Sequence, residues 1–183
     1  LAPLQPDVMI NLSASPFDYT HDKDREAIVK ANVLRYKIPV FYCNTVGSQT
    51  EIVFDGASFV MDNKANLCGR LKRFEEDLQA FVLNDNGSIG TNILATQEQL
   101  PSQELTPMQL NEKLNIPLIY EALVLGIKDY FSKMGFTKAI LGSSGGIDSA
   151  VVLALACEAL GKDNVTAMLM PSQFSTTHSV SDA

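Results

Sequence analysis

The chain has little cysteine, and what it has is arranged for nothing: Cys43, Cys68 and Cys157 are odd in number, and no two of them have C-x-x-C spacing. That excludes a disulfide framework and a cysteine-rich zinc site, and it is the usage of a reduced, cytoplasmic compartment. Positive charge is short as well. Fourteen Lys and Arg stand against 21 Asp and Glu, for a formal charge of −7, and the sequence lacks the basic face that nucleic acid or an anionic membrane would require. The longest apolar run, Ala150–Cys157, is far below the roughly 18–20 residues that span a bilayer. The opening "LAPLQPDVMINL" has no initiator Met and no basic n-region, so it reads as the inside of a longer protein and not as a signal peptide.

What is present suits a soluble α/β core. Apolar residues make up 46% of 183, enough for one ordinary domain or pieces of two. "DVMINL" (Asp7 to Leu12) reads as a short buried strand, and "SASPF" as a loop. "REAIVKANVLRY" reads as a helix capped by Asp22 or Asp24 and ended by Pro39. "VFYCN" (Val40 to Asn44) is β-branched and aromatic, hence a second strand parallel to the first. "EIVFDGASFVM" reads as two strands around a tight Asp55-Gly56 turn. Asn84 to Asn115 is polar and without a period, so it reads as a linker.

A helical period returns at Pro117. Ile119, Leu123, Ile127, Tyr130 and Met134 fall three or four apart, and Gly135 follows them as a cap. "KAIL" is then a strand, "LGSSGGIDSA" a glycine-serine loop, Ser149 to Leu160 a helix stopped by Gly161, and "VTAMLM" a second strand. In a strand–loop–helix–strand unit the loop lies at the strand's carboxyl end and the helix's positive amino end, where an anion binds.

Three readings of that loop compete. A P-loop needs lysine before its final serine, and Asp148 stands there. Gly142-Ser143-Ser144-Gly145-Gly146 matches the G-x-S-x-G nucleophile elbow. Its partners would have to be Asp163 and His178, which lie before and after the next strand and so at opposite edges of the sheet. The third reading uses every residue. Gly145 and Gly146 let the backbone approach an anion, Ser144 and Ser149 add hydroxyl donors, and Asp148 asks for a divalent cation between carboxylate and phosphate, a role that suits Mg²⁺. A plain tight turn would explain the glycines but not the serines and the acid.

"SGGIDS" resembles the signature of the PP-loop ATP pyrophosphatases, which split ATP between its α and β phosphates. The flanks "YEALVLGIKDYFSKMGFTKAILGSSGGIDSAVVLALACEALG" and "VTAMLMPSQFSTTHSVSDA" are similar to NAD synthetases. "NLSASPF" and "FYCNTVGSQTEIVFDGASFVMD" resemble the end of the nitrilase-like glutaminase domain fused to the glutamine-dependent members of that family. The resemblance implies an α/β fold: the end of a nitrilase-like αββα sandwich (1–83), a linker (84–116), and the start of an adenine-nucleotide α-hydrolase-like, Rossmann-like parallel sheet (117–183).

The resemblance also implies the chemistry. ATP would bind at Gly142, Ser143, Ser144, Gly145, Gly146, Ile147, Asp148 and Ser149, with Mg²⁺ on Asp148. Deamido-NAD would be adenylated on its nicotinate carboxylate and amidated by ammonia from glutamine. Ser15 and His21 would contact the amino-acid end of glutamine, and Tyr130 the nicotinate ring. A loop serine bonded to its own backbone, a solvated histidine and a packed aromatic account for the last three equally well. The glutaminase triad would precede Leu1, leaving Cys43 as a small core residue, and Ser143 replaces the larger apolar residue usual before "SGG". The remaining partners would be the rest of the same polypeptide and, in a homo-oligomer, further copies of it, with neither nucleic acid nor membrane. As a fragment the chain would complete neither half-reaction. The alternatives are another PP-loop amidotransferase-type ligase and a non-catalytic nucleotide-binding module.

Overall fold

A computed structural model describes residues 4, 6–19, 22–90 and 115–170. Among the described residues, ten strands and three α-helices follow in chain order: β1 (Met9–Ser13), α1 (Asp22–Tyr36), β2 (Val40–Asn44), β3 (Val46–Gln49), β4 (Ile52–Asp55), β5 (Phe59–Met61), β6 (Leu67–Arg70), β7 (Val82–Leu83), β8 (Ile89–Gly90), α2 (Asn115–Met134), β9 (Ala139–Ser143), α3 (Ile147–Leu160) and β10 (Val165–Leu169). They form two compact units. One comprises Leu1–Gly47 and Val53–Leu118, the other Ser48–Ile52 and Ile119–Ala183.

The first unit is built on a four-stranded sheet of order β1-β2-β5-β6. β1 and β2 are parallel with Met9 opposite Val40 and Ser13 opposite Asn44, the strand–helix–strand pair expected. β5 runs antiparallel to β2 and β6. The core lies between one sheet face and α1. Val29 and Val33, four apart on the helix, pack with Val40, Tyr42, Phe59, Met61 and Ala65. Tyr42 and Phe59 are cross-strand partners whose rings stack at 4.9 Å, and each fully buried apolar side chain contributes about 1.5–3 kcal/mol. α1 ends at Tyr36, where Lys37 turns to φ 57° and its amide reaches Val33 O at 2.7 Å. The residue before the proline is thereby already outside the helix.

Four expectations need correction. Asp55 and Gly56 do not form a hairpin turn: β4 pairs with β3, β5 pairs with β2 and β6, and Gly56 and Ala57 both take positive φ to carry the chain from one sheet to the other. The hairpin turn is instead at Thr50 and Glu51, between β3 and β4. Cys43 is exposed, not core, because strand alternation puts it on the face opposite Val40 and Tyr42. β1 is not buried either: Ile10 and Leu12 share that second face and are 67% and 79% exposed. Part of the presumed linker is ordered as well, since β7 and β8 form a hairpin closed by the Gly87 amide on Asn84 O.

In the second unit, α2 leads to β9, and β9 pairs in parallel with β10, Ala139 opposite Val165 and Ser143 opposite Leu169. α3 is the crossover between them. Gly135, at φ 72°, ends the α2 segment as a left-handed cap should. Phe131, Tyr130 and Phe136 form an aromatic group there, with ring centroids 6.0–6.5 Å apart. The Gly161 amide closes α3 on Cys157 O at 2.9 Å. Among the described residues no helix is long and apolar enough to cross a membrane.

Candidate functional site

The glycine-serine loop joins β9 to α3, and α3 begins two residues earlier than expected, at Ile147. Gly146 is the extended residue before it (φ −95°, ψ 158°), and the Ala150 amide bonds back to Gly146 O at 3.2 Å. Asp148 therefore sits inside the first helical turn, where unpaired amides and the helix dipole favour negative charge. Gly145, at φ 74°, supplies a left-handed turn that costs other L-residues about 1–2 kcal/mol.

The two serines are bonded to each other. Ser149 Oγ donates to Gly146 O at 2.9 Å and accepts from the Ser144 amide at 3.2 Å. The Ser144 and Ser149 hydroxyls lie 3.1 Å apart, and with the Ser149 proton committed to Gly146, Ser144 is the donor of that pair. The Gly146 amide reaches Ser144 Oγ at 3.4 Å. The loop is thus braced from within, and a ligand would have to exchange some of these bonds for its own. Ser144, Gly146, Ile147 and Asp148 are exposed, with Ile147 at 76%. Among the described residues no group of three or more His, Cys, Asp or Glu could hold a metal ion. A cation at Asp148 would complete its shell with substrate oxygens, which is how Mg²⁺ binds beside phosphates.

Tyr130, on α2 in the same unit, is 44% exposed, so core packing accounts for only part of its surface. Asp163 lies in a short 3₁₀ turn ahead of β10, while His178 and His21 lie outside the described residues.

Ser15, in the first unit, is half-buried between β1 and α1. Its amide donates to Asn44 Oδ1 at 2.8 Å, and Asn44 Nδ2 donates to Ser15 O at 3.3 Å. Asn44 is itself buried and also donates to Asp55 Oδ1 at 3.2 Å. Asp55 has no exposed surface and ion-pairs with Arg25 at 3.2 Å and Arg73 at 3.5 Å. Burial pushes its carboxyl above the usual carboxylate range, against the pull of the Arg25 charge and hydrogen bond. Sequence reading missed this network. Its one visible signal was an acid ending the apolar run "IVFD", which also fits a turn.

A parallel strand pair crossed by a helix, with a glycine-serine loop at the helix's amino end, is the α/β arrangement in which nucleotide-binding proteins place an anion. Residues 119–183 match the model of the NAD synthase family. The whole chain is similar to longer proteins. It is 40% identical to the glutamine-dependent NAD(+) synthetase of Synechocystis sp. over 96% of its own length and 29% of that protein's. It is 32% identical to that of Thermotoga maritima over 96% of this chain and 34% of the relative. The chain therefore spans about a third of the length of these relatives. The solved glutamine-dependent NAD+ synthetase of Acinetobacter baumannii, a complex with adenosine diphosphate, matches at TM-score 0.81 and 30% identity, covering 98% of this chain and 32% of that one. The mixed α/β fold expected from the sequence is the one observed.

Proposed function

We propose that this chain is part of an enzyme that makes NAD by ATP-dependent amidation of deamido-NAD, drawing ammonia from glutamine. The observation that carries this is the loop Gly142–Ser149, whose Asp148, paired serines and left-handed Gly145 occupy the amino end of α3 at the carboxyl end of β9. The similarity to glutamine-dependent NAD(+) synthetases along nearly the whole chain supports it.

In this reading the loop binds the ATP phosphates. The nicotinate carboxylate oxygen attacks the α-phosphorus, and the bond to the β-phosphate oxygen breaks, releasing pyrophosphate. Amides at the start of α3, and the Ser144 hydroxyl on exchanging its bond to Ser149 Oγ, would donate where charge grows on that leaving group, which lowers the barrier. Mg²⁺ held by Asp148 would supply charge neutralisation there. Ammonia then attacks the acyl carbon, loses a proton, and AMP leaves. Residues of the first unit would belong to the nitrilase-like glutaminase, with Ser15 and His21 toward glutamine; in the second unit Tyr130 would lie toward the nicotinate ring. A cytoplasmic location goes with this chemistry.

The test is Asp148→Asn in the full-length protein. NAD synthesis should be lost with either glutamine or free ammonia, while glutamine hydrolysis continues. Normal synthesis by the variant would refute the reading.

A further inference from the structure

The segment after β1 is tied down at every second residue. The Ser13 carbonyl accepts from the Thr45 amide at 2.9 Å, closing the regular β1–β2 pairing. The Phe17 amide donates to Val53 O at 2.7 Å, and the Phe17 ring meets Phe74 edge-on at 5.2 Å. Between them, Ser15 lies beyond the β1–β2 pairing, whose last partners are Ser13 and Asn44. Both of its backbone groups are met by the side-chain amide of Asn44, which acts as a substitute peptide group and extends the sheet by one step.

An amide can do this in only one orientation, because Oδ1 must face the Ser15 amide and Nδ2 the Ser15 carbonyl. Asp55 fixes that choice. Its buried carboxylate accepts from Nδ2 and would repel Oδ1. Arg25 and Arg73 hold the carboxylate in turn, and Arg25 lies on the α1 face that also carries Val29 and Val33, four and eight residues on. The Asn44 backbone is fixed as well, its amide donating to Ser58 Oγ at 2.9 Å. None of this is needed to fill the core. Apolar residues at 25, 44, 55 and 73 together would fill it with no charge to compensate.

We propose that Asn44, oriented by Asp55, is a positioning residue that sets Ser15 in place for glutamine. The inference rests on the reading above that Ser15 contacts that substrate. Asn44 need not touch glutamine; it acts through the Ser15 backbone.

The experiment compares Ser15→Ala, Asn44→Ala and the wild type as full-length proteins. It uses amide hydrogen exchange together with glutamine-driven and ammonia-driven NAD synthesis. In Asn44→Ala the Ser15 amide should exchange at least tenfold faster while the Thr45 amide, bonded within the sheet, keeps its protection. The glutamine KM should rise about tenfold, as the loss of one hydrogen-bonded placement would give, with kcat at saturating glutamine and the ammonia-driven rate little changed. Should Asn44→Ala fail to fold, Asn44→Ser carries the same readings, since its hydroxyl keeps the site polar but cannot span both Ser15 groups. Unchanged Ser15 exchange overturns the proposal. So does faster exchange with an unchanged glutamine KM in a protein whose Ser15→Ala variant does raise it. If Ser15→Ala itself leaves KM unmoved, the underlying contact is wrong and the proposal falls with it.

Discussion

The Asp129 carboxylate on α2 accepts a hydrogen bond from the Ser48 amide at 2.7 Å, and Lys133, one turn on, donates to the same oxygen at 3.1 Å and also to Ser48 O. Ser48 is 3% exposed and belongs to the same unit as α2. Both backbone groups of one buried residue are thus met by side chains of a single helix face.

Asp129→Ala strands the buried Ser48 amide and should cost about 1–3 kcal/mol. Lys133 is 59% exposed, so Lys133→Ala should cost under about 1 kcal/mol. Urea denaturation of the two variants checks the order, and equal losses would show that the bond from Lys133 to Ser48 O matters as much as the amide bond to Asp129.

Gly145→Ala places a Cβ on a residue at φ 74°. Loss of about 1 kcal/mol of stability is expected, together with a raised KM for ATP. The ATP-dependence of synthesis, measured beside the melting temperature, would separate strain from a lost contact.

Tyr130→Phe should be tolerated, and Tyr130→Ala should weaken deamido-NAD binding by the roughly 0.5–1.5 kcal/mol of an aromatic stack. With 44% of the residue already exposed, the melting temperature should move little. A large drop in melting temperature with unchanged binding would make Tyr130 a packing residue of the Phe131–Phe136 group.

Asp62 gives a pH signature. Burial works against its charge, but the Asn66 side chain and the Asn66 and Lys64 amides donate to it and together hold its carboxyl below the usual range. A lowered folded-state value means that the stabilisation is present above the unfolded carboxylate range and is lost as pH falls through the folded value. Asp62→Asn should therefore be less stable than the wild type at neutral pH, and the gap should close in acid. Stability curves for both proteins between neutral pH and the acid limb check this; a gap that stays constant in acid would contradict it.

Much of the fold was legible because its signals are local. β2 was read to the residue, and the strand–loop–helix–strand order around Gly142–Ser149 followed from glycine placement and period. What escaped was long-range. Val40 and Tyr42 alternate with Phe41 and Cys43, all of them apolar, so the pattern could not say which face α1 covers. Asp55 looked like half of a turn because Gly followed it, and only the approach of Arg25 and Arg73, 30 and 18 residues away, reveals a buried charge. The loop's serines were read as donors to a ligand, whereas the structure shows them bonded to one another, a contact that depends on the turn's closure.

The bonds at Ser13, Ser15 and Phe17 work as a ruler. Their two-residue step spans about 6.6 Å of extended chain, and each mark must fall on a residue with a free N–H or C=O. Slipping the segment forward by one would bring Pro16 to Asn44, and proline has no N–H to offer. The same slip would also remove Phe17 from Val53. A single-residue deletion between Ser13 and Phe17 cannot be absorbed by sliding, so this stretch should tolerate changes of side chain far better than changes of length.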